Sequence, residues 1–167
     1  DWSSDVCSSD LNRRQDSWGG SREKRTRFPI EVLTKVQHVV AEKEASHFII
    51  GYRFSPEEIE EPGIRFEDTM FLLNTLAEYE PDYFHISANS YQRTSIVNQE
   101  DTEPLINKYI KMQSAQLAKI PLIGVGSIAQ RQDAEHALEL GYDLLSVGKA
   151  YLVEPQWTDK ISQIRSE

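Results

Sequence analysis

The sequence predicts an α/β fold with a parallel sheet, and three observations predict it. Helical and strand patterns alternate from Arg27 onward. The strand runs are short and lack clean polar alternation, as parallel strands buried on both faces do. Two of them run into glycine at their C-terminal ends, in Gly124-Val125-Gly126-Ser127 and Val147-Gly148-Lys149. Four such units make half of a (β/α)8 barrel, or alternatively a small open doubly wound sheet.

Each element has its own signal. Phe28, Val32, Val36, Val39 and Val40 share one face at helical spacing, predicting a helix over roughly 28–44. His47 to Phe54 reads as a short buried strand stopped by Ser55-Pro56. Met70, Leu73, Leu76 and Ala77 mark a second helix, and Tyr83 to Ser87 a second strand. Pro104 suits the first turn of a helix carrying Leu105, Tyr109 and Met112. Pro121 introduces a third strand over Leu122 to Val125, Asp133 to Leu140 forms a compact helix stopped by Gly141, and Leu144 to Val147 is the fourth strand.

Composition bounds the function classes. At 167 residues and 39% apolar the chain can bury one core, but a complete (β/α)8 barrel needs about 250 residues. A formal net charge of −9 and a pI near 5.0 argue against a nucleic-acid partner, which requires a basic surface. The basic run Arg22 to Arg27 is interleaved with Glu23 and reads as a solvated helix entry. No stretch approaches 18 consecutive apolar residues, so no membrane helix is expected, and no secretory signal opens the chain. A lone cysteine, Cys7, suits a reducing cytoplasm. Residues 1–11, DWSSDVCSSDL, lack any periodicity and read as an unrelated leader or junction, leaving 12–167 as the domain.

The two glycine loops predict a phosphate site. Glycine admits close approach of the backbone to a ligand, and the following N–H groups can point at an anion. Lys149 adds a positive charge there. The bland reading, that these glycines are only tight turns, is weaker for two consecutive loops plus a lysine. A dinucleotide fingerprint is excluded, because the Gly124/Gly126 pair lacks the third glycine and the later acidic residue.

The run from Asn12 to Pro29, NRRQDSWGGSREKRTRFP, resembles the N-x-R-x-D-x-[YW]-G-G-S-x-E-x-R-x-R-F signature of the Old Yellow Enzyme family. Gly51-Tyr52-Arg53-Phe54-Ser55-Pro56 is similar to its G-x-R-x-S-P strand, and residues 147–157, VGKAYLVEPQW, to the V-G-R-x-x-L-x-x-P-x-W closing its barrel. The resemblance implies half of a TIM barrel, parallel strands five to eight with their helices. It implies FMN as cofactor, NADH or NADPH as reductant, and as substrate an alkene conjugated to a carbonyl. Arg53 would reach the pyrimidine edge of the flavin, and Gly126, Ser127, Gly148 and Lys149 would hold the FMN phosphate. The family usually has arginine where Lys149 stands, so bidentate pairing is lost while the charge remains. The signature residues themselves are assigned to structure.

The family's substrate-gripping pair, His-His or His-Asn, lies upstream of the N-x-R-x-D motif, where residues 1–11 stand. No catalytic residue is therefore assigned, and the chain by itself is expected not to turn over. His38 and His136 fall on helices as surface residues, His47 starts a strand, and His85 reads as a satisfied core histidine. A second reading is a non-catalytic phosphate-ligand or assembly module, whose open strand edges pair with another copy. Another FMN barrel, such as a dihydroorotate dehydrogenase or dihydrouridine synthase, is a third; the N-x-R-x-D run counts against it.

Overall fold

The structure is a computed structural model that describes residues 12, 14–61 and 63–163; the expected leader, 1–11, lies outside the described residues. Helix α1 (Arg22–Glu42) begins six residues before the apolar spacing starts, because Ser21 sits in extended backbone and its hydroxyl accepts from the Lys24 N–H. The elements that follow are β1 (Gly51–Phe54), α2 (Phe66–Ala77), β2 (Tyr83–Ile86) and α3 (Leu105–Met112). After a 3₁₀ turn at Leu117–Lys119 come β3 (Leu122–Val125), α4 (Arg131–Leu140), β4 (Leu144–Ser146), α5 (Lys149–Val153) and α6 (Trp157–Gln163).

The four strands form one parallel sheet in the order β1-β2-β3-β4. That order decides between the two expected architectures. A doubly wound sheet reverses its strand order at a switch point, whereas a barrel adds each strand beside the last. Here nothing reverses, and the helices cover one face only, so the sheet is half a barrel wall. Phe54, Phe84, Ile86 and Leu122 point at the helices and meet Met70, Leu73, Leu76 and Leu105 in the core. Arg53, His85, Ile123 and Ser146 point the other way, into the concave face. The expectation that the strands are buried on both faces is thereby corrected: burial alternates residue by residue.

The strands are pinned at their N-terminal ends by a repeated device. Asp82, just before β2, takes the Ile50 N–H on its carboxylate at 2.6 Å and gives its own N–H to the Ile50 carbonyl at 2.8 Å. Asp143, just before β4, does the same to Leu122, at 2.8 and 3.0 Å. Each aspartate thus closes a two-bond ring that sets the register of a neighbouring parallel strand.

Other boundaries differ from the sequence reading. The first strand starts at Gly51 and not at His47; His47 and Phe48 lie in a turn closed by the bond from Phe48 N–H to the Ala45 carbonyl. Pro104 caps α3 from outside rather than occupying its first turn. β4 ends at Ser146, one residue short of Val147. Gly141 does stop α4, in the left-handed conformation at φ +111°. The helix expected over roughly 28–44 is present as α1, and its valine face is the open one: Val32, Val36 and Val39 are exposed, and the helix buries Thr26, Pro29 and Leu33. Its apolar stripe borders a groove of about 310 Å³ beside the unpaired edge of β1, together with Phe48 and Ile49.

Candidate functional site

The C-terminal ends of parallel strands are where α/β barrels carry their sites. Three sequence-predicted features converge there. The first is the β3 loop. Gly126 has φ +99°, and a Cβ at this position would lie 2.5 Å from the backbone of Asn89 and Ser90. The glycine is therefore demanded by the fold, because it lets the β3 loop touch the loop after β2. Ser127 follows at φ +55°, a left-handed conformation that non-glycine residues adopt at a cost of about 1 kcal/mol or more. Its hydroxyl donates to the Asn89 carbonyl at 3.0 Å. That proton is committed to the protein, so Ser127 can offer an anion only its backbone N–H.

The second feature is the β4 loop. A Cβ on Gly148 would meet nothing within 4 Å, and its φ of −116° requires no glycine. Nothing in the described fold asks for glycine here; a ligand lying against the backbone would. Among the described residues, the N–H groups of Ser127, Gly148 and Lys149 have no acceptor, the Gly126 N–H faces the Ser146 carbonyl across the β3–β4 register, and the Lys149 ammonium is exposed without an ion-pair partner. Two adjacent loops therefore present uncommitted donors and one positive charge. That donor set suits a phosphate, whose oxygens only accept.

The third feature is Arg53. The alternative of a salt bridge to Glu57 or Glu58 is not formed. Glu57 is buried and accepts from the Ser95 hydroxyl at 3.0 Å and the Ile96 N–H at 2.9 Å, while Glu58 accepts from the Ile64 N–H. Arg53 instead donates to the Ser87 hydroxyl at 2.9 Å, which leaves its charge without a carboxylate among the described residues. His85 stands beside it in register across β1 and β2. Its Nε2 is buried with no hydrogen-bond partner, and burial, aided by the Arg53 charge, holds its pKa below the usual imidazole value. The expected satisfied core histidine is thus corrected: His85 is half-buried, faces the concave side and lacks a partner.

The other histidines stay outside the site. His38 pairs with Glu42 on the surface of α1, and His136 on α4 receives Gln92 at 2.9 Å. Among the described residues no group of three or more His, Cys, Asp or Glu could hold a metal ion. A groove of about 850 Å³ runs along α1 past Arg27, Glu31 and Tyr79, but it lies away from the strand ends and mixes both charge signs.

The signature run does hold structure together. The Asn12 side chain donates to the Trp18 carbonyl at 2.8 Å, Arg14 pairs with Asp16, Trp18 stacks edge-on against Phe28 and Arg27 lies over its ring. Sequence reasoning missed Ser87 and Asn89. Ser87 had a readable signal, since it lies two residues beyond His85 and hence on the same face of a strand.

A parallel half-barrel wall with glycine loops at the ends of its last two strands is the class of fold that the chain presents. The model of the NADH:flavin oxidoreductase / NADH oxidase family matches residues 6–167, and the chain belongs to that family, as its resemblance to the Old Yellow Enzyme family implied. FMN and NADH are the cofactor and reductant of that family. Over 149 residues the chain is 64% identical to NADH:acrylate oxidoreductase of Vibrio harveyi, covering 89% of this chain and 15% of that relative. It is 51% identical to NADH:fumarate oxidoreductase of Klebsiella pneumoniae (strain 342), over 90% of this chain and 16% of the relative. It is 38% identical to the probable NADH-dependent flavin oxidoreductase YqiG of Bacillus subtilis (strain 168), over 93% of this chain and 41% of the relative. The chain thus spans less than half the length of these curated relatives, and about a sixth of the first two. Among solved structures, morphinone reductase superposes with a TM-score of 0.66 at 21% identity, covering 95% of this chain and 40% of that one, which shows the shared fold.

Proposed function

We propose that this chain supplies the phosphate side of an FMN site in an NAD(P)H-dependent oxidoreductase whose acceptor is an alkene conjugated to a carbonyl or carboxyl group. The observation that carries this reading is the set of backbone N–H groups of Ser127, Gly148 and Lys149, with the Lys149 ammonium, without partners among the described residues on two adjacent strand-end loops. Gly126, Ser127, Gly148 and Lys149 hold the phosphate, and Arg53 faces the flavin ring system. Two of the relatives, NADH:acrylate oxidoreductase and NADH:fumarate oxidoreductase, support a small unsaturated acid as acceptor.

FMN held by Gly126, Ser127, Gly148 and Lys149 would supply the hydride-transfer chemistry. The chain's own residues position and polarise. Lys149 and the loop N–H groups fix one end of the cofactor by charge and directed hydrogen bonds. Arg53, leaning towards Ser87 and paired with no carboxylate, places a positive charge where negative charge accumulates on reduction. The chain assigns no residue to the grip on the substrate, so by itself it binds cofactor without turning over. The reaction belongs in a reducing compartment, the cytoplasm. No helix among the described residues is long and apolar enough to cross a membrane.

The test is a titration of the chain with FMN, followed by quenching of flavin fluorescence. Lys149→Ala should weaken binding by about tenfold, the loss of one charge-assisted contact, and Lys149→Arg should retain it. Equal binding by wild type and Lys149→Ala would remove the phosphate assignment.

A further inference from the structure

The concave face holds a polar group that the proposed cofactor site does not use. Arg53 and His85 are register partners on adjacent parallel strands, so their side chains leave the sheet on the same face, one strand spacing apart. Arg53 does not bond straight across. It reaches Ser87, two residues further along β2 than His85, so its guanidinium leans towards the C-terminal ends of the strands. His85 therefore lies on the N-terminal side of that guanidinium, deeper in the concave wall. The β3 residue in register with His85 is Ile123, which can neither donate nor accept. His85 Nε2 is buried without a partner. Among the groups that face it, Arg53 is the charged one; Ser87 is neutral and already accepts from Arg53.

We propose that His85 is a positioning residue for Arg53: as a neutral imidazole it forms the floor on which the guanidinium leans towards Ser87 and the ligand loops. A neutral ring tolerates the cation beside it. An imidazolium at the same place repels the guanidinium and releases it from that direction. The depressed basicity of His85, caused first by burial and then by the Arg53 charge, fits a ring that stays neutral at neutral pH. This inference deepens the cofactor reading, since Arg53 is the residue that reading aims at the flavin. It concerns two neighbouring residues within the chain and can fail independently.

The experiment follows the imidazole signals of His85 and the side-chain Nε–H signal of Arg53 by NMR in the full 167-residue chain, from neutral to acid pH. The expected result is one shared midpoint, below that of an ordinary histidine, at which both signals move. Arg53→Gln should shift the His85 midpoint upward. His85→Asn and His85→Gln should each abolish the pH dependence of the Arg53 signal while leaving the rest of the spectrum folded. An Arg53 signal indifferent to the His85 titration, or a His85 midpoint unchanged by Arg53→Gln, overturns the proposal. A parallel FMN titration separates the two ideas. Loss of coupling with FMN binding intact sinks the His85 role alone, whereas intact coupling without FMN binding at any pH sinks the cofactor reading alone.

Discussion

Two glycines that look equivalent as letters do different work. Gly126 is required by the fold, with φ +99° and the Asn89–Ser90 backbone where a Cβ would go. Gly148 is required by nothing in the described residues. Gly126→Ala should therefore destabilise the chain by more than about 1 kcal/mol, through strain and displacement of the β2 loop, seen as a lowered urea midpoint. Gly148→Ala should leave that midpoint within about 0.5 kcal/mol of wild type and weaken FMN binding instead. His85 gives a pH prediction of definite sign. Its folded-state pKa is depressed, so below the ordinary histidine value the unfolded chain binds more protons than the folded one. Stability should fall as pH drops through that window, and His85→Asn should flatten the fall in urea titrations repeated from neutral to mildly acidic pH. The residue scale was half legible from sequence. The pairing of glycine with lysine could be read, but the commitment of the Ser127 hydroxyl to Asn89 could not, because it joins residues 38 apart in the chain.

The elements were legible where their signals were local. All four strands and the helix ended by Gly141 fall within a few residues of their expected places. Boundaries moved where a side chain or a long-range bond intervened: Ser21 extends α1 backwards, and the pairing of Gly51 with Tyr83 starts β1 later than its apolar run. The two aspartate clamps were invisible in a periodicity reading. An aspartate before a strand looks like a turn residue until its partner strand is known. Asp82→Ala and Asp143→Ala should each cost about 1 kcal/mol, the worth of a charge-assisted bond discounted for solvent exposure. A thermal melt would show the loss, and Asp82→Asn should recover only part of it. Helical spacing reports the α1 stripe but not what lies opposite it. Truncation makes the difference between stripe and core measurable: Leu73→Ala, in the core at 0% exposure, should cost about 2–5 kcal/mol. Val39→Ala, 51% exposed, should cost well under 1 kcal/mol in the same urea experiment.

On the scale of the whole molecule, the sheet has two open edges among the described residues, with exposed apolar side chains at both. Val36, Val39, Phe48 and Ile49 lie on the β1 side, and Leu144 lies on β4 itself. Unpaired parallel edges with exposed apolar neighbours attract further strands. The isolated chain should self-associate with rising concentration in sedimentation experiments, and a Val36→Lys, Val39→Lys double variant should reduce that association without loss of helix signal.

The sequence by itself determined the alternation of helices and strands, the two glycine loops and the family signature, because each is written in neighbouring residues or in a fixed short spacing. The tertiary structure alone decided that the strand order never reverses, making the sheet a barrel wall with one covered face. It also decided that Arg53 leans on Ser87 beside an unpartnered His85, and that the valine stripe of α1 faces outward. These facts depend on which segments pack together across tens of residues, and side-chain periodicity carries no information about the partner on the other side.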